Sequence, residues 1–436
     1  MPLIRPKTLP ATLMESSVIK PFKAVHYNPS KVKDMQKVFC PPYDVISDED
    51  RDMYMKSSPY NFIHLDLPQG YADDSDKDDK YARAKKLFDQ FFKDDVFVQD
   101  KEPSIYVHKQ EYKSMGQRFN RVGFVSLLKL DHDTAVKIHP HEKTHENAVQ
   151  DRLSLTRALN SALSPIFVCY SDKQKILEKI FNKKIVSTKP LCDVVDKNGV
   201  RNVLWKLSDP QLIKDISDSV SSEEMFIADG HHRFRTANLY REMRLKDVSD
   251  PAADHPFNYA LSYFTNLDSK DLQILPMHRI VKTLPKNLAF LDELFRIDRI
   301  RSLAELQVLL NKAGRNEHAF GLVTKNGFQL LRLKNKTMID QMIKEGSPEY
   351  RRLDATILKH FVFDRLKIKS EDIVYTKDIE DGRRMIQEGA AEALFVLNPV
   401  KVSELKAIAL NGEKMPQKTT YFYPKILSGL TVYKMD

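Results

Sequence analysis

Cysteine is scarce in this chain: Cys40, Cys169 and Cys192 stand far apart in 436 residues. An odd, scattered set excludes a disulfide framework and a cysteine-based zinc site, and it suits a reducing compartment. Long hydrophobic runs are also missing. Pro165-Ile166-Phe167-Val168-Cys169-Tyr170 is typical of the longest, far short of the ~20 residues of a membrane span. Met1-Pro2-Leu3-Ile4-Arg5-Pro6 holds no secretory-type apolar stretch, so a cytoplasmic location without a membrane partner is expected. No repeat or low-complexity tract is visible. The patterns G-x-x-x-x-G-K-[ST] and G-x-G-x-x-G are both absent, which leaves a conventional nucleotide-binding fold unsupported. No dense basic tract stands out either, because 69 Lys and Arg are interspersed with 60 Asp and Glu. The net charge of +9 suggests an anionic partner. Its scatter argues against nucleic acid, whose binders concentrate their charge.

The length exceeds one ordinary domain, and 42% apolar residues can furnish several cores. Apolar patterning predicts a helix near 81–93 after an acidic loop at 71–79, and strands at 104–109 and 121–130. It then predicts a loop at 139–145, a helix near 148–160 and a strand at 166–170. A connecting helix is expected within 208–224, with Ser208 and Asp209 as caps before Pro210. Ser302-Leu303-Ala304-Glu305 is a capping-box pattern ahead of a helix ending near Ala313-Gly314. Lys325-Asn326-Gly327, between 319–324 and 328–333, signals a hairpin, and 353–363 reads as a helix. This mixture indicates an α+β, mixed α/β fold. Soft boundaries divide the chain into 1–215, 216–290 and 291–436.

The most informative stretch is Asp229-Gly230-His231-His232-Arg233. Met225–Ala228 before it reads as a buried strand. Phe234–Met243 after it reads as a helix with Ala237, Tyr240 and Met243 near one face. A glycine turn between strand and helix lets backbone approach a ligand. The start of the helix favours an anion. Arg233 would add a bidentate fork and the histidines further donors. The alternative is a turn with Asp229 as N-cap and its basic residues in solvent.

Other segments allow two readings each. Cys40-Pro41-Pro42-Tyr43-Asp44-Val45-Ile46-Ser47 is stiffened by two prolines. It either aims Asp44 as a general base at a hydroxyl, or starts a turn with Ser47 capping a helix over 48–56. His139–His145 contains a formal H-E-x-x-H, from His141 to His145. Pro140 ahead of it, and no further carboxylate at helical spacing, weaken a zinc reading. The other reading is a polar loop meeting phosphate and magnesium, with Glu142 on the metal and histidines on the phosphate. Asp151-Arg152 orients that loop or is an ordinary surface pair. Lys418, Thr419 and Thr420 offer a charge and hydroxyls to an anion, or lie on a Pro-bounded strand. His278-Arg279 has no assignment.

Taken together, Pro41–Ile46, Asn61–Pro68, His139–Thr144, Ala228–Phe234 and Met415–Lys425 resemble the pyrophosphate-dependent free-serine kinases. That family was long known only as a conserved domain of unknown function. The motifs run from near residue 40 to 425. The resemblance implies phosphoryl transfer from inorganic pyrophosphate to the hydroxyl of L-serine, giving O-phospho-L-serine and phosphate. It implies Mg²⁺, a place in serine and cysteine biosynthesis, and a ParB/sulfiredoxin-like core with additional α/β lobes. The family's phosphate-binding box looks like Gly230–Arg233, and Asp44 is the position to which the base is carried. Asp229, Gly230, His231, His232 and Arg233 would then grip the diphosphate, with Arg233 and His232 also catalytic. His139, His141, Lys418 and Thr419 would add contacts to phosphate, while Glu142 and Asp229 would support Mg²⁺. His145 lies outside the family pattern. Rival readings are an ATP- or ADP-dependent kinase, a sulfiredoxin-like enzyme using Cys40, and a ParB-like nucleic-acid module. Pyrophosphate needs no adenine pocket, in keeping with the missing nucleotide motifs.

Overall fold

A computed structural model describes residues 17–75, 78–114, 116–130, 137–251, 254–285 and 287–435. The fold is α+β, and the chain divides into two units. The first comprises Met1–Pro140, Thr144–Leu272 and Pro424–Asp436, and the second comprises His141–Lys143 and Gln273–Tyr423.

Among its described residues the first unit is built on a nine-stranded sheet. Its strands are β1 (Ile19–Lys20), β2 (Ile105–Ser114), β3 (Gln117–Lys129), β4 (Ile138–His139), β5 (Ile166–Tyr170), β6 (Cys192–Val195), β7 (Arg201–Leu207), β8 (Met225–Asp229) and β9 (Tyr259–Asn266). They lie in the order β4-β8-β5-β9-β3-β2-β7-β6, with β1 beside β3. β4 runs parallel to β8, and β5 to β9. Every residue of β5 and β9 is buried. A strand covered on both faces is an unbroken apolar run, which is why 166–170 is legible without alternation. The helices are α1 (Asp48–Ser57), α2 (Lys80–Lys93), α3 (Glu146–Leu159), α4 (Pro210–Val220) and α5 (His231–Leu245). Ser47 and Asp209 cap α1 and α4, each accepting backbone N–H groups of the first turn. The core gathers Ile105, Phe124, Val168, Ile227 and Phe264.

The second unit has a six-stranded antiparallel sheet. Its strands are β10 (His278–Val281), β11 (Phe295–Ile300), β12 (Ala319–Thr324), β13 (Gly327–Leu333), β14 (Ile373–Thr376) and β15 (Ala393–Val396), in the order β11-β13-β12-β15-β10-β14. α6 (Leu303–Ala313) and α7 (Val402–Leu410) belong to this unit. The expected hairpin at Lys325–Gly327 joins β12 to β13.

β8, within 216–290, pairs with β4 and β5, strands that precede residue 215. Two expectations change. Ser302 caps α6 through Glu305 N–H, but Glu305 accepts from Arg301 N–H and so completes only half of the box. The helix expected over 353–363 is α-helical only at Asp354–Leu358, then widens, with Asp364 N–H reaching Lys359 O. Among the described residues no helix is long and apolar enough to cross a membrane.

Candidate functional site

β8 ends with a register shift against β5 between Ile227 and Asp229. Such a bulge re-aims the side chain that follows it. Gly230 then adopts φ +83° and caps α5. A Cβ there would lie 2.9 Å from Arg233 Cζ and Nε. Glycine is therefore required twice, by its left-handed backbone and by the guanidinium folded over it. Arg233 donates from Nη2 to Asp229 Oδ2 at 2.9 Å and from Nη1 to the Pro165 carbonyl. Lys425 donates to Asp229 Oδ1. One carboxylate thus holds two cations, and all three side chains are 15% exposed or less.

The electrostatics follow from that burial. Desolvation pushes the Asp229 carboxyl up, but Lys425 and Arg233 outweigh it and hold it well below the usual range. Desolvation also opposes charge on Arg233, yet Asp44, then Asp229, keep its pKa above normal. Asp44 therefore acts on the same guanidinium. His231 is buried, and desolvation lowers its pKa to about 3, so its ring is neutral. His232 Nε2 accepts the His145 N–H at 3.0 Å, and the two rings stack with centroids 6.0 Å apart. That bond assigns the proton of a neutral His232 ring to Nδ1.

Pro42 leads into a single tight turn, Tyr43–Val45, that carries Asp44. The Arg152 guanidinium lies 4.1 Å from the Tyr43 ring centroid. Arg152 is buried; it donates to the Asp66 carbonyl at 2.5 Å and to Asp151 Oδ2 at 2.6 Å. Buried Asp66 accepts the hydroxyls of Ser164 and Ser428 at 2.9 and 2.8 Å. The turn presenting Asp44 is thus braced by an interior network, and Asp151-Arg152 is no surface pair. Desolvation, then Asp44, push the Tyr43 phenol well up, so it stays protonated. Beside it opens a cavity of about 70 Å³, with Tyr43, Arg152, Ser164 and Arg233 at its polar side and Tyr240 and Phe257 among its apolar wall.

The remaining expected residues lie elsewhere. His139 pairs with Glu224 and stacks on Phe226, 5.4 Å between centroids. The H-E-x-x-H spacing is not on a helix: α3 starts only at Glu146, and His145 is its N-cap. The zinc reading falls, because it needs two ligands one helical turn apart. His141, Glu142, Lys418 and Thr419 belong to the second unit. There Glu142 Oε1 accepts the Lys418 N–H at 3.0 Å, and Thr419 donates its hydroxyl to the Pro416 carbonyl at 2.5 Å. His141 is buried and its carbonyl accepts the Met415 N–H at 2.8 Å. So Asp44, Asp229, Gly230, His231, His232 and Arg233 form one group, and Glu142 with Lys418 another.

Two expected roles need correction. Arg233 is not an open fork for phosphate, since both terminal arms are committed within the protein; only its buried Nε has no hydrogen-bond partner among the described residues. Asp229 does not fit a magnesium ligand, because each of its oxygens is taken by a cation. Among the described residues no three His, Cys, Asp or Glu side chains group as a metal site. Sequence reasoning missed Lys425 and Asp66. The signals were there: Lys425 closes the Met415–Lys425 segment directly after Pro424, and Asp66 is a carboxylate inside the apolar stretch Ile63–Leu67.

The fold and this charged corner define an α+β protein whose glycine turn seats two cations on one carboxylate. Residues 19–356 match the family described as Protein of unknown function (DUF1015), and the chain belongs to it. No curated protein matches. Solved structures are distantly similar, among them the following three. A conserved hypothetical protein from Pyrococcus furiosus is 16% identical over 71% of this chain and 95% of its own, with a TM-score of 0.34. A free serine kinase in complex with AMP is 16% identical over 70% and 92%, with a TM-score of 0.34. SbnI with C-terminal truncation from Staphylococcus aureus is 11% identical over 71% and 87%, with a TM-score of 0.36.

Proposed function

We propose that this protein is a phosphotransferase that moves a phosphoryl group from inorganic pyrophosphate to the hydroxyl of free L-serine. The observation that carries the reading is the corner at Asp229–Arg233, where buried Lys425 and Arg233 share one carboxylate at the start of α5 and Asp44 acts on the same guanidinium. Phosphoryl transfer asks the protein for positioning and charge stabilisation more than for covalent chemistry. The diphosphate lies against the positive end of the α5 dipole. Lys425 and the field of Arg233 offset its charge, and His232, fixed by His145, lends a donor from Nδ1. Asp44 takes the proton of the serine hydroxyl as its oxygen bonds to phosphorus. The bridging P–O bond breaks and orthophosphate leaves. Mg²⁺, when bound, would neutralise charge on the diphosphate oxygens; the described residues offer it no cage of carboxylates. A ParB/sulfiredoxin-like core and a cytoplasmic location belong to the same proposal, which rests on residues of the first unit alone.

The test supplies full-length protein with Mg²⁺ and L-serine, and adds pyrophosphate, ADP or ATP in separate reactions. Phosphorus NMR should detect O-phosphoserine with pyrophosphate, and Asp44→Asn should lose it while still unfolding in one cooperative transition. Phosphoserine formed only with ADP or ATP would replace the donor. None with any donor would overturn the reading.

A further inference from the structure

The second unit holds a polar cavity that the proposed reaction does not use. A cavity of about 210 Å³ opens among Gly314–His318 at the end of α6, Lys336, Asp354, and Asn398–Lys401 with Glu404 leading into α7. No Ser, Thr or Cys lines it, so it carries no hydroxyl or thiol nucleophile.

Its acids each have a hydrogen-bond donor. Asp354 Oδ1 takes His318 Nδ1 at 2.8 Å, and Glu317 Oε2 takes Arg332 Nη1 at 3.1 Å. Glu404 Oε2 accepts the Lys401 N–H at 2.9 Å, and burial pushes its carboxyl pKa up. Its cations are not matched in the same way. Lys336 gives its ammonium to a neutral group, the Asn316 carbonyl, at 2.7 Å. The Lys401 ammonium acts on Glu404 by charge alone, without a hydrogen bond to its carboxylate. Lys401 also stands at the N-terminus of α7, nine residues long, whose dipole favours negative charge. A third feature concerns Asn398. Its side chain packs so tightly on Gly314 that a Cβ there would meet Nδ2 at 2.3 Å, and that Nδ2 is a buried donor without a hydrogen-bond partner. With Asp354 on Nδ1, the Nε2 of His318 is the ring's remaining polar atom.

We infer that this cavity is a binding site for a small oxyanion with two negative charges, either a dicarboxylate or a phosphate monoester. Three cations and a helix terminus supply attraction, each acid is already engaged by a donor, and the polar walls disfavour an apolar guest. The site is built from the second unit alone and does not depend on the serine-kinase reading.

Hydrogen–deuterium exchange of the full chain tests it, with malonate, inorganic phosphate, or chloride at matched ionic strength as probes. Malonate or phosphate should slow exchange in 314–318 and 398–404, and chloride should not. The double variant Arg315→Ser, Lys336→Ser changes two exposed side chains and should weaken that protection tenfold or more in probe concentration. Protection by malonate alone assigns a dicarboxylate, and by phosphate alone a phosphate monoester. Phosphate bound at the first unit's corner is told apart by protection over 229–235. No protection in the second unit, or equal protection in the double variant, would sink the inference and leave the serine-kinase reading untouched.

Discussion

The Lys425 ammonium donates to Asp229 across 196 positions of sequence. Its backbone is held for that task. Gln110 Nε2 donates to the Lys425 carbonyl at 3.0 Å, and buried Arg121 donates to the Pro424 carbonyl at 2.5 Å. The closing segment of the chain is therefore tied to β2 and β3 and presents one cation to the end of β8.

Lys425→Met keeps the apolar stem and deletes the charge. Asp229 is then left buried with Arg233 alone. With Arg233 still paired to it, the loss is that of one charge-assisted hydrogen bond, about 1.5–3 kcal/mol. The urea midpoint at neutral pH should fall accordingly, and a midpoint within error of wild type would mean the pair contributes nothing.

Gly230→Ala meets both a φ of +83° and Arg233 atoms at 2.9 Å. Gly389 has a similar φ, +75°, with nothing within 4 Å of the place a methyl group would take. Backbone strain alone costs roughly 1 kcal/mol. Gly389→Ala should lose about that much, whereas Gly230→Ala should lose about 1–3 kcal/mol more through crowding. Thermal melts of the two variants side by side decide it; equal losses would refute the role given to the folded guanidinium.

Arg152→Met removes the cation that faces both Asp66 and the Tyr43 ring. Loss of stability of about 3–5 kcal/mol is expected, because Asp66 stays buried without it. Arg152→Lys keeps charge but cannot stack flat on the ring or donate in a fork. It should recover only part of the stability, and full recovery would show that planarity is irrelevant there.

Acid should destabilise this protein well above the carboxylate range. Burial lowers His108 and His231 to about 3 and His278 to about 4. Against an ordinary value of ~6.5, the unfolded chain binds these protons first. Stability is thus complete above about pH 6.5 and declines as pH falls toward the folded values, by up to about 1.4 kcal/mol per pH unit for each histidine. His108→Gln should shrink the loss between pH 7 and 5 by about 2 kcal/mol in urea titrations. Asp229 acts lower, its contribution being present above ~3.9 and lost as pH drops through its depressed folded value. An unaltered slope in His108→Gln would contradict a neutral, buried ring.

Much was legible where a local cause suffices. Ile166–Tyr170 declares itself by five consecutive buried side chains, and Ser47, Asp209 and Ser302 by hydroxyl or carboxylate one residue ahead of a helix. The glycine between β8 and α5 was legible because few other residues tolerate that φ. The same local view misjudged Arg233, since nothing adjacent in sequence reveals that Pro165 offers it a carbonyl. The zinc reading of His141 and His145, weakened in the sequence by Pro140, fails because α3 begins after both.

The order of residues alone determined the mixture of helices and strands, the helix starts, the sharp turn at Gly230, and the absence of nucleotide-loop patterns. These follow from short-range sterics, periodicity and capping, which operate within a few residues. Tertiary structure alone decided which charges meet: Lys425 with Asp229, Arg152 with Asp66, and Asp44 beside Arg233. Such pairings depend on how distant strands are ordered in the sheet, and burial then multiplies their electrostatic weight, because water no longer screens them.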